Sequence, residues 1–387
     1  QRNIATGGSV NTGVAMLALQ RLMFMTAGSE SSARASSFDE PLTPTNTSVK
    51  DASTQGSAAV DPVKIDQRGI YVQRNGVKVF ELAFDANSYD YNSKDLTALV
   101  PELGSGGIVR MAVQRQPDTR LHCVKADGTV MMAVHDANED VICWLKVTST
   151  GSSGLIEDVV TLPGTNGSIE DRVYYVVKRT VNGATVRYLE KWANETECRG
   201  TFSDNTNLNK QADSFIVYSG AAATVIGGLG HLVAASVIVW ADGIDYSPDV
   251  SDVQTTFTVS AGGTITLGTA VQNAVIGLPY KAQWKSSKLG VNESAAMSLL
   301  TQTKRETNIG LVLAYAHPKG IKFGPDFDNL EDMPEIESGT TVGANTVREF
   351  YDEEMIEFPS TWLTDLRLCL QGKAPRPCTV LAAVNNI

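Results

Sequence analysis

The densest groupings of side chains that could do chemistry are two acidic stretches. DFDNLEDMPEIE, residues 326–337, carries Asp326, Asp328, Glu331, Asp332, Glu335 and Glu337. EFYDEEMIE, residues 349–357, carries Glu349, Asp352, Glu353, Glu354 and Glu357. Oxygen-rich loops of this kind suit calcium, a hard cation that prefers carboxylate and carbonyl ligands. Asp326-Phe327-Asp328 nevertheless lacks the glycine and the terminal bidentate glutamate of an EF-hand loop. The ordinary reading of both stretches is a solvated acidic face. Glycoside hydrolysis would need two carboxylates at a defined separation, and the spacing here does not say which would pair.

The histidines are few: His122, His135, His231 and His317, with no HxxxH or HExxH spacing. His122 and His135 flank Asp127-Gly128, and a hairpin there would bring their strands together. A metal pair is the sharper reading of that juxtaposition. Strand histidines that are hydrogen-bonded or exposed are the ordinary one. A nucleophile elbow GxSxG is absent, because Gly151-Ser152-Ser153-Gly154 has the wrong spacing and sits in a polar loop. Neither a Walker A sequence nor a GxGxxG after a strand occurs, and there is no SxDxGxTW turn. The five cysteines, Cys123, Cys143, Cys198, Cys369 and Cys378, show no CxxC spacing, which argues against zinc and against a disulfide framework. Cys123 and Cys143 lie in apolar strands and read as small reduced core residues, which fits an intracellular folding compartment. No catalytic residue, cofactor or metal site is therefore expected, and the chain reads as non-enzymatic.

The elements that carry these residues are β-strands. GIYVQRNGVKVFELAF alternates around Asn75-Gly76, the strongest short-range hairpin signal. MAVQRQPDTRLHCVKADGTVMMAVHDANEDVICWLKV, residues 111–147, repeats the plan with strands at 121–125, 129–135 and 141–147 around Asp127-Gly128. DRVYYVVKRTVNGATVRYLEKW repeats it again around Asn182-Gly183. Asn, Asp and Gly tolerate the positive φ of a type I′ turn. The tips recur at about 50 residues, close to the period of four-stranded propeller blades. Trp144 and Trp192 each end a unit and Trp240 precedes Asp242-Gly243, so they read as packing between sheets. A sugar-stacking platform is the sharper alternative.

The expected fold is all-β with minor α: a β-propeller-like core of antiparallel blades with an inserted small β-barrel. Residues 1–60 read as N-terminal strands and a loop, with AMLALQRLMFMT (15–26) a strand pair turning at Gln20-Arg21 or a short helix. The Ser/Thr/Ala/Pro-rich run 28–60 reads as a long ordered loop or linker. Residues 61–224 hold the blades and 225–287 the insert, with turns at Asp242-Gly243 and Gly262-Gly263. Residues 288–387 start with a helix over 292–306, capped by Ser294, with Met297, Leu300 and Lys304 on one stripe, and then return to β. A shorter helix is expected from Ser93 to Leu99, stopped before Pro101.

Of the 387 residues, 42% are hydrophobic and 19% charged, a globular balance. No apolar run reaches the roughly 18 residues of a membrane helix. The best, Val14–Ala27, is interrupted by Gln20 and Arg21. Gln1-Arg2-Asn3 leads into Gly/Ser/Thr-rich sequence with no visible secretory signal, and the natural start is expected to lie further upstream. Net charge is −11, the wrong sign for gripping phosphates and the right sign for a surface that repels nucleic acid. Ordinary solubility explains the same number.

Several of these stretches carry a resemblance. VDPVKIDQRGIYVQRNGVKVFEL, GIVRMAVQRQPDTRLHCVKADGTV, VICWLKV, YYVVKRTVNGATVRYLEKW and LNKQADSFIVYSG resemble the nozzle, or tubular tail, proteins of short-tailed bacteriophages. So do KGIKFGPDFDNLEDMPEIE and APRPCTVLAAV, which extends the likeness from about Thr43 to Val384. QRQPDTRLHCVKADGTV is the most specific marker, a Gln-x-Pro-Asp segment leading into strand, Asp-Gly turn and strand. The insert resembles the small β-barrel half-domain of ubiquitin-activating enzymes, which recurs inside phage tail proteins. The resemblance implies a homohexameric ring in the virion tail, assembled in the host bacterial cytoplasm, with a lumen through which DNA passes without specific binding. It implies a head–tail adaptor or portal ring above, and tail fibre or tip proteins around or below. A carbohydrate-binding or carbohydrate-active propeller acting on the host surface is the alternative.

Overall fold

The computed structural model describes residues 12–35, 40–137, 139–151, 154–165, 167–200, 208–290, 299–334, 336–337, 340–352 and 355–386. It is all-β. Among the described residues the only helical pieces are 3₁₀ turns at Pro101–Gly104, Glu195–Cys198, Gly230–Leu232 and Leu299–Thr301, and none is long and apolar enough to cross a membrane. Contacts divide the chain into two compact units: Gln1–Ser149, Ser153–Thr180 and Thr185–Trp192 form one, and Thr150–Ser152, Val181–Ala184 and Ala193–Ile387 form the other.

The first unit is a run of antiparallel meanders. The first sheet holds Gly13–Ala18, Leu22–Thr26, Glu30–Arg34 and Ser48–Ser53 in that order. The second holds Val63–Ile65, Arg68–Val72, Val79–Asp85 and Asp90–Asp95, and the third Ile108–Gln114, Arg120–Lys125, Val130–Asp136 and Val141–Val147. The fourth has three strands, Leu155–Leu162, Arg172–Val181 and Ala184–Lys191. Successive side chains point to opposite faces of a strand, so one strand can serve two cores. Tyr71 joins Met23 and Met25 against the first sheet, while Ile70 and Val72 join Leu121, Cys123 and Met131 of the third. Val124 and Val130 then pack on Ile156, Tyr175 and Val177 of the fourth. Face-to-face stacking of successive four-stranded meanders is the blade arrangement of a propeller.

Two expectations are corrected in this unit. Residues 28–60 are not one long loop, because Glu30–Arg34 and Ser48–Ser53 complete the first sheet. The serines that suggest a loop are buried, and their hydroxyls donate to Asp51 (Ser31, 2.8 Å) and Asp90 (Ser32, 3.2 Å). The helix expected over Ser93–Leu99 is instead the end of strand Asp90–Asp95, paired with Val79–Asp85. Asp95 stops that strand by accepting the Thr97 backbone N–H at 2.8 Å.

The Asx-Gly tips divide into two kinds. Asn182-Gly183 joins its strands directly with both residues at positive φ (49° and 78°), and Asp242-Gly243 does the same (47° and 81°). At Asn75-Gly76 and Asp127-Gly128 only the glycine is left-handed, at 78° and 80°. The loops there are longer, closed by Gln73 N–H to Lys78 O and Lys125 N–H to Thr129 O. The side chain explains the difference. Asn75 Oδ1 accepts the Val77 N–H at 3.1 Å and Asp127 Oδ1 the Thr129 N–H at 2.9 Å, an Asx turn that keeps the first residue at negative φ. Asp242 instead accepts from Gln272 and Asn273 on another strand.

In the second unit, a fifth sheet joins Asp213–Ile226, Ile265–Leu278, Ser236–Ala241 and Ile244–Asp245, with Phe257–Thr258 also on Ser236–Ala241. It encloses its own core of Ile226, Val237, Val239, Ile265, Val271 and Ile276. A sixth sheet orders Lys281–Lys285, Cys369–Lys373, Ile321–Gly324 and Glu331–Asp332. In the seventh, Asn308–Ala316 pairs with Arg348–Tyr351 and Ile356–Glu357, and also with Thr379–Asn386. Ile309, Leu311, Phe323, Phe358 and Leu366 share one core. Of the helix expected over 292–306, the described part is a 3₁₀ turn at Leu299–Thr301, followed by an extended bridge of Lys304 to Leu363. Ser294 and Met297 lie outside the described residues.

Candidate functional site

The third sheet separates its two histidines. His122 pairs with Met132, so His135 lies three residues along and points to the opposite face. His122 Nδ1 meets Tyr175 Oη at 2.7 Å and Nε2 meets Gln114 Oε1 at 3.3 Å, beneath the Trp192 ring. Burial pushes its pKa down to about 4, so it is a neutral core residue. His135 Nε2 sits 2.8 Å from Glu81 Oε2, and Arg68 donates to Glu81 Oε1 at 2.6 Å. Burial alone would raise the Glu81 carboxyl, but the bonds from His135 and Arg68 outweigh it and hold it below its usual range. His231 donates to the Ser214 carbonyl at 2.9 Å. His317 packs its ring 6.0 Å from that of Trp240, and burial, with Arg376 nearby, pushes its pKa down to about 4. No group of three potential metal ligands occurs among the described residues.

The acidic stretch is divided by its own turn. Asp326 Oδ1 accepts the backbone N–H groups of Asp328 (2.9 Å) and Asn329 (2.8 Å), and with the Asn329 amide these bonds hold its carboxyl below the usual range. Asp328 is exposed. Glu331 and Asp332 form a two-residue strand on Lys322-Phe323, with Asp332 3.4 Å from the Lys322 ammonium. Glu335 lies outside the described residues, and Glu337 belongs to the short pair Ile336–Glu337 with Thr340–Thr341. The stretch is thus a turn and a paired edge.

The tryptophans singled out in the sequence pack internally. Trp144 donates to the Leu96 carbonyl at 2.8 Å, Trp192 covers His122 and Tyr175, and Trp240 is fully buried. Trp284 and Trp362, which carry no sequence signal, are 54% and 70% exposed.

Two features that sequence patterning misses are the open apolar strand edges and the buried charge node of the second unit. Val141–Val147 is the outer strand of the third sheet, and Val141, Ile142, Cys143 and Leu145 are exposed on both of its faces. Thr379–Asn386 pairs only with Asn308–Ala316 among the described residues, and Val380, Leu381 and Val384 are exposed. Alternation normally hides one face of a strand; here apolar side chains are exposed on both faces, although Trp144 and Val147 are partly buried, and among the described residues the strand edges offer unpaired backbone groups. The charge node centres on Arg376, which is 3% exposed. Its Nε donates to Asp245 at 2.7 Å and its Nη1 to Asp249 at 2.5 Å, while Lys373 also binds Asp249. Burial alone would raise the Asp249 carboxyl, but the bonds from Lys373 and Arg376 hold it below its usual range. The node ties the strands Ile244–Asp245 and Asp249–Val250 to the segment between Cys369–Lys373 and Thr379–Asn386. In the sequence, Arg376 is an unremarkable residue between two prolines.

No protein-family model matches the chain, and no curated protein matches it. Among solved structures the chain is similar to a protein of Bacteroides ovatus described as Xyloglucan PUL GH43B. The match has 11% identity and a TM-score of 0.25, covering 99% of this chain and 91% of that one. A score that low carries no argument for a shared fold or reaction.

Proposed function

We propose that the chain is a structural subunit of a homohexameric ring, the tail nozzle of a short-tailed bacteriophage, through which DNA leaves the capsid. The observation that carries this reading is the pair of open apolar edges, Val141–Val147 and Thr379–Asn386. A closed ring of like subunits is heterologous: each copy needs two different surfaces, one for each neighbour. Two dissimilar edges left open among the described residues would supply them. The net charge of −11 also suits a conduit, because each phosphate contact would add salt-dependent affinity and slow passage. The sequence resemblance supplies the remaining parts of the reading: an adaptor or portal ring on one side, and fibre or tip proteins on the other.

Mass photometry of the purified chain at micromolar concentration tests it. Hexamers are expected for the wild type and monomers for the double variant I142K/L381K, which puts a charge on each edge. A wild-type monomer that binds host polysaccharide would overturn the reading. That outcome would promote a carbohydrate-binding propeller, which the exposed Trp284 and Trp362 favour. W284A and W362A would then abolish binding.

A further inference from the structure

Glu306 lies two residues before the start of the strand Asn308–Ala316, and its surroundings do not provide for a charge. It is fully buried, and neither carboxylate oxygen has a hydrogen-bond partner among the described residues. Its backbone is clamped. The Glu306 N–H donates to Ser360 Oγ at 3.2 Å, and that hydroxyl donates back to the Glu306 carbonyl at 2.9 Å. On one side Lys304 and Leu363 exchange two backbone bonds of 2.9 Å; on the other the Phe358 N–H donates to Thr307 O at 2.9 Å. The carboxyl therefore sits inside a continuous seam between residues 304–309 and 356–363, and cannot reach water while the seam is closed.

The charged groups on the two segments do not compensate it. Lys304 directs its ammonium to the carbonyls of Gln302 and Thr364. Arg305 and Glu357 are exposed, and Asp365 is paired with Arg367 at 2.9 Å. An ionised carboxylate without a donor is far more costly to bury than a neutral carboxylic acid, so the group keeps its proton instead. Burial alone pushes its pKa up to about 7.

We propose that Glu306 is a proton-operated latch: the neutral acid keeps the 304–309/356–363 seam closed, and loss of the proton weakens that closure. The sign follows from proton counting. The closed seam holds a proton that an opened, solvated Glu306 gives up near its ordinary pKa of 4.5, so closure weakens steadily as pH rises from there through about 7. Above that range both states are ionised and the full penalty has accumulated. The latch belongs to the second unit's own packing and holds whether or not the chain forms rings.

Hydrogen exchange of the Phe358 and Leu363 amides in the full chain tests the proposal, after correction for the intrinsic base-catalysed rate. Linkage between the two pKa values makes the open fraction rise roughly 70-fold between pH 5 and pH 8 in the wild type. In E306Q, which keeps shape without a titrating proton, that excess is expected to vanish. Equal pH dependence in wild type and E306Q would overturn the latch. Should E306Q fail to fold, the wild type still decides: carbon-13 labelling of the glutamates reads a carboxyl that titrates near neutrality, and none above pH 6 would overturn it.

Discussion

Replacing Arg376 by Met strands Asp245, whose side chain is 3% exposed, while Asp249 keeps Lys373. Two ion-paired bonds are lost, to Asp245 and to Asp249, along with the longer guanidinium bonds to the Lys319 and Ser247 carbonyls at 3.4 and 3.3 Å. Hydrogen bonds to charged groups contribute about 1.5–3 kcal/mol each, and breaking a buried pair by removing one partner costs about 3–5 kcal/mol. The two routes agree, so R376M is expected to lose about 3–5 kcal/mol in urea unfolding followed by circular dichroism, with an unchanged m-value. For a unit of this size that corresponds to a melting temperature lower by roughly 6–20 °C. The double variant R376M/D245N separates charge from packing. The amide keeps an oxygen for the Ser247 N–H, which Asp245 accepts at 2.7 Å, but removes the stranded charge. It is expected to recover about half of the loss. A single-variant loss below about 1 kcal/mol, or a double variant no better than the single, would refute the reasoning.

Three further outcomes follow from the same geometry. Gly76 and Gly128 share a left-handed conformation, but a Cβ on Gly76 meets open space whereas one on Gly128 meets the Leu155 side chain at 2.7 Å. G76A should therefore cost only the roughly 1–2 kcal/mol of the conformation, and G128A measurably more in the same melts. H122F leaves Tyr175 Oη and the Gln114 side chain without their shared partner and should cost about 1–3 kcal/mol. Because the folded pKa of His122 is lowered from 6.5 to about 4, its stabilising neutrality is complete above 6.5 and lost as pH falls toward 4. That component should be missing from the pH–stability profile of H122F. Asp249, held below 3.8, contributes stability that is present above that value and lost as pH falls through its folded pKa. D249N should flatten the acid limb of the profile.

Much of the first unit is legible in the sequence because its strands alternate and its tips carry Asx-Gly. The strands around residues 72–79, 125–130 and 181–184 lie where the pattern puts them. The type of turn is less legible, since it depends on whether Asp or Asn bonds its own loop, as Asp127 does, or a distant strand, as Asp242 does. Strands built from polar residues escape periodicity altogether. Ser31 and Ser32 are buried because Asp51 and Asp90 receive their hydroxyls, a pairing across long sequence separation. The helix expected over 292–306 rests on side-chain spacing, but residues 304–306 are drawn into extended pairing by Leu363 and Ser360, a tertiary effect that local spacing does not encode. The node at Arg376 and the lone carboxyl of Glu306 are invisible for the same reason: each is defined by what folds around it.

The ring is the central claim, and two-dimensional electron-microscopy averages of the purified full chain test it most directly. Six-fold rings with a hole wide enough for duplex DNA are the predicted result. Single, ring-free particles at every concentration, with or without an adaptor ring supplied as a template, would contradict it.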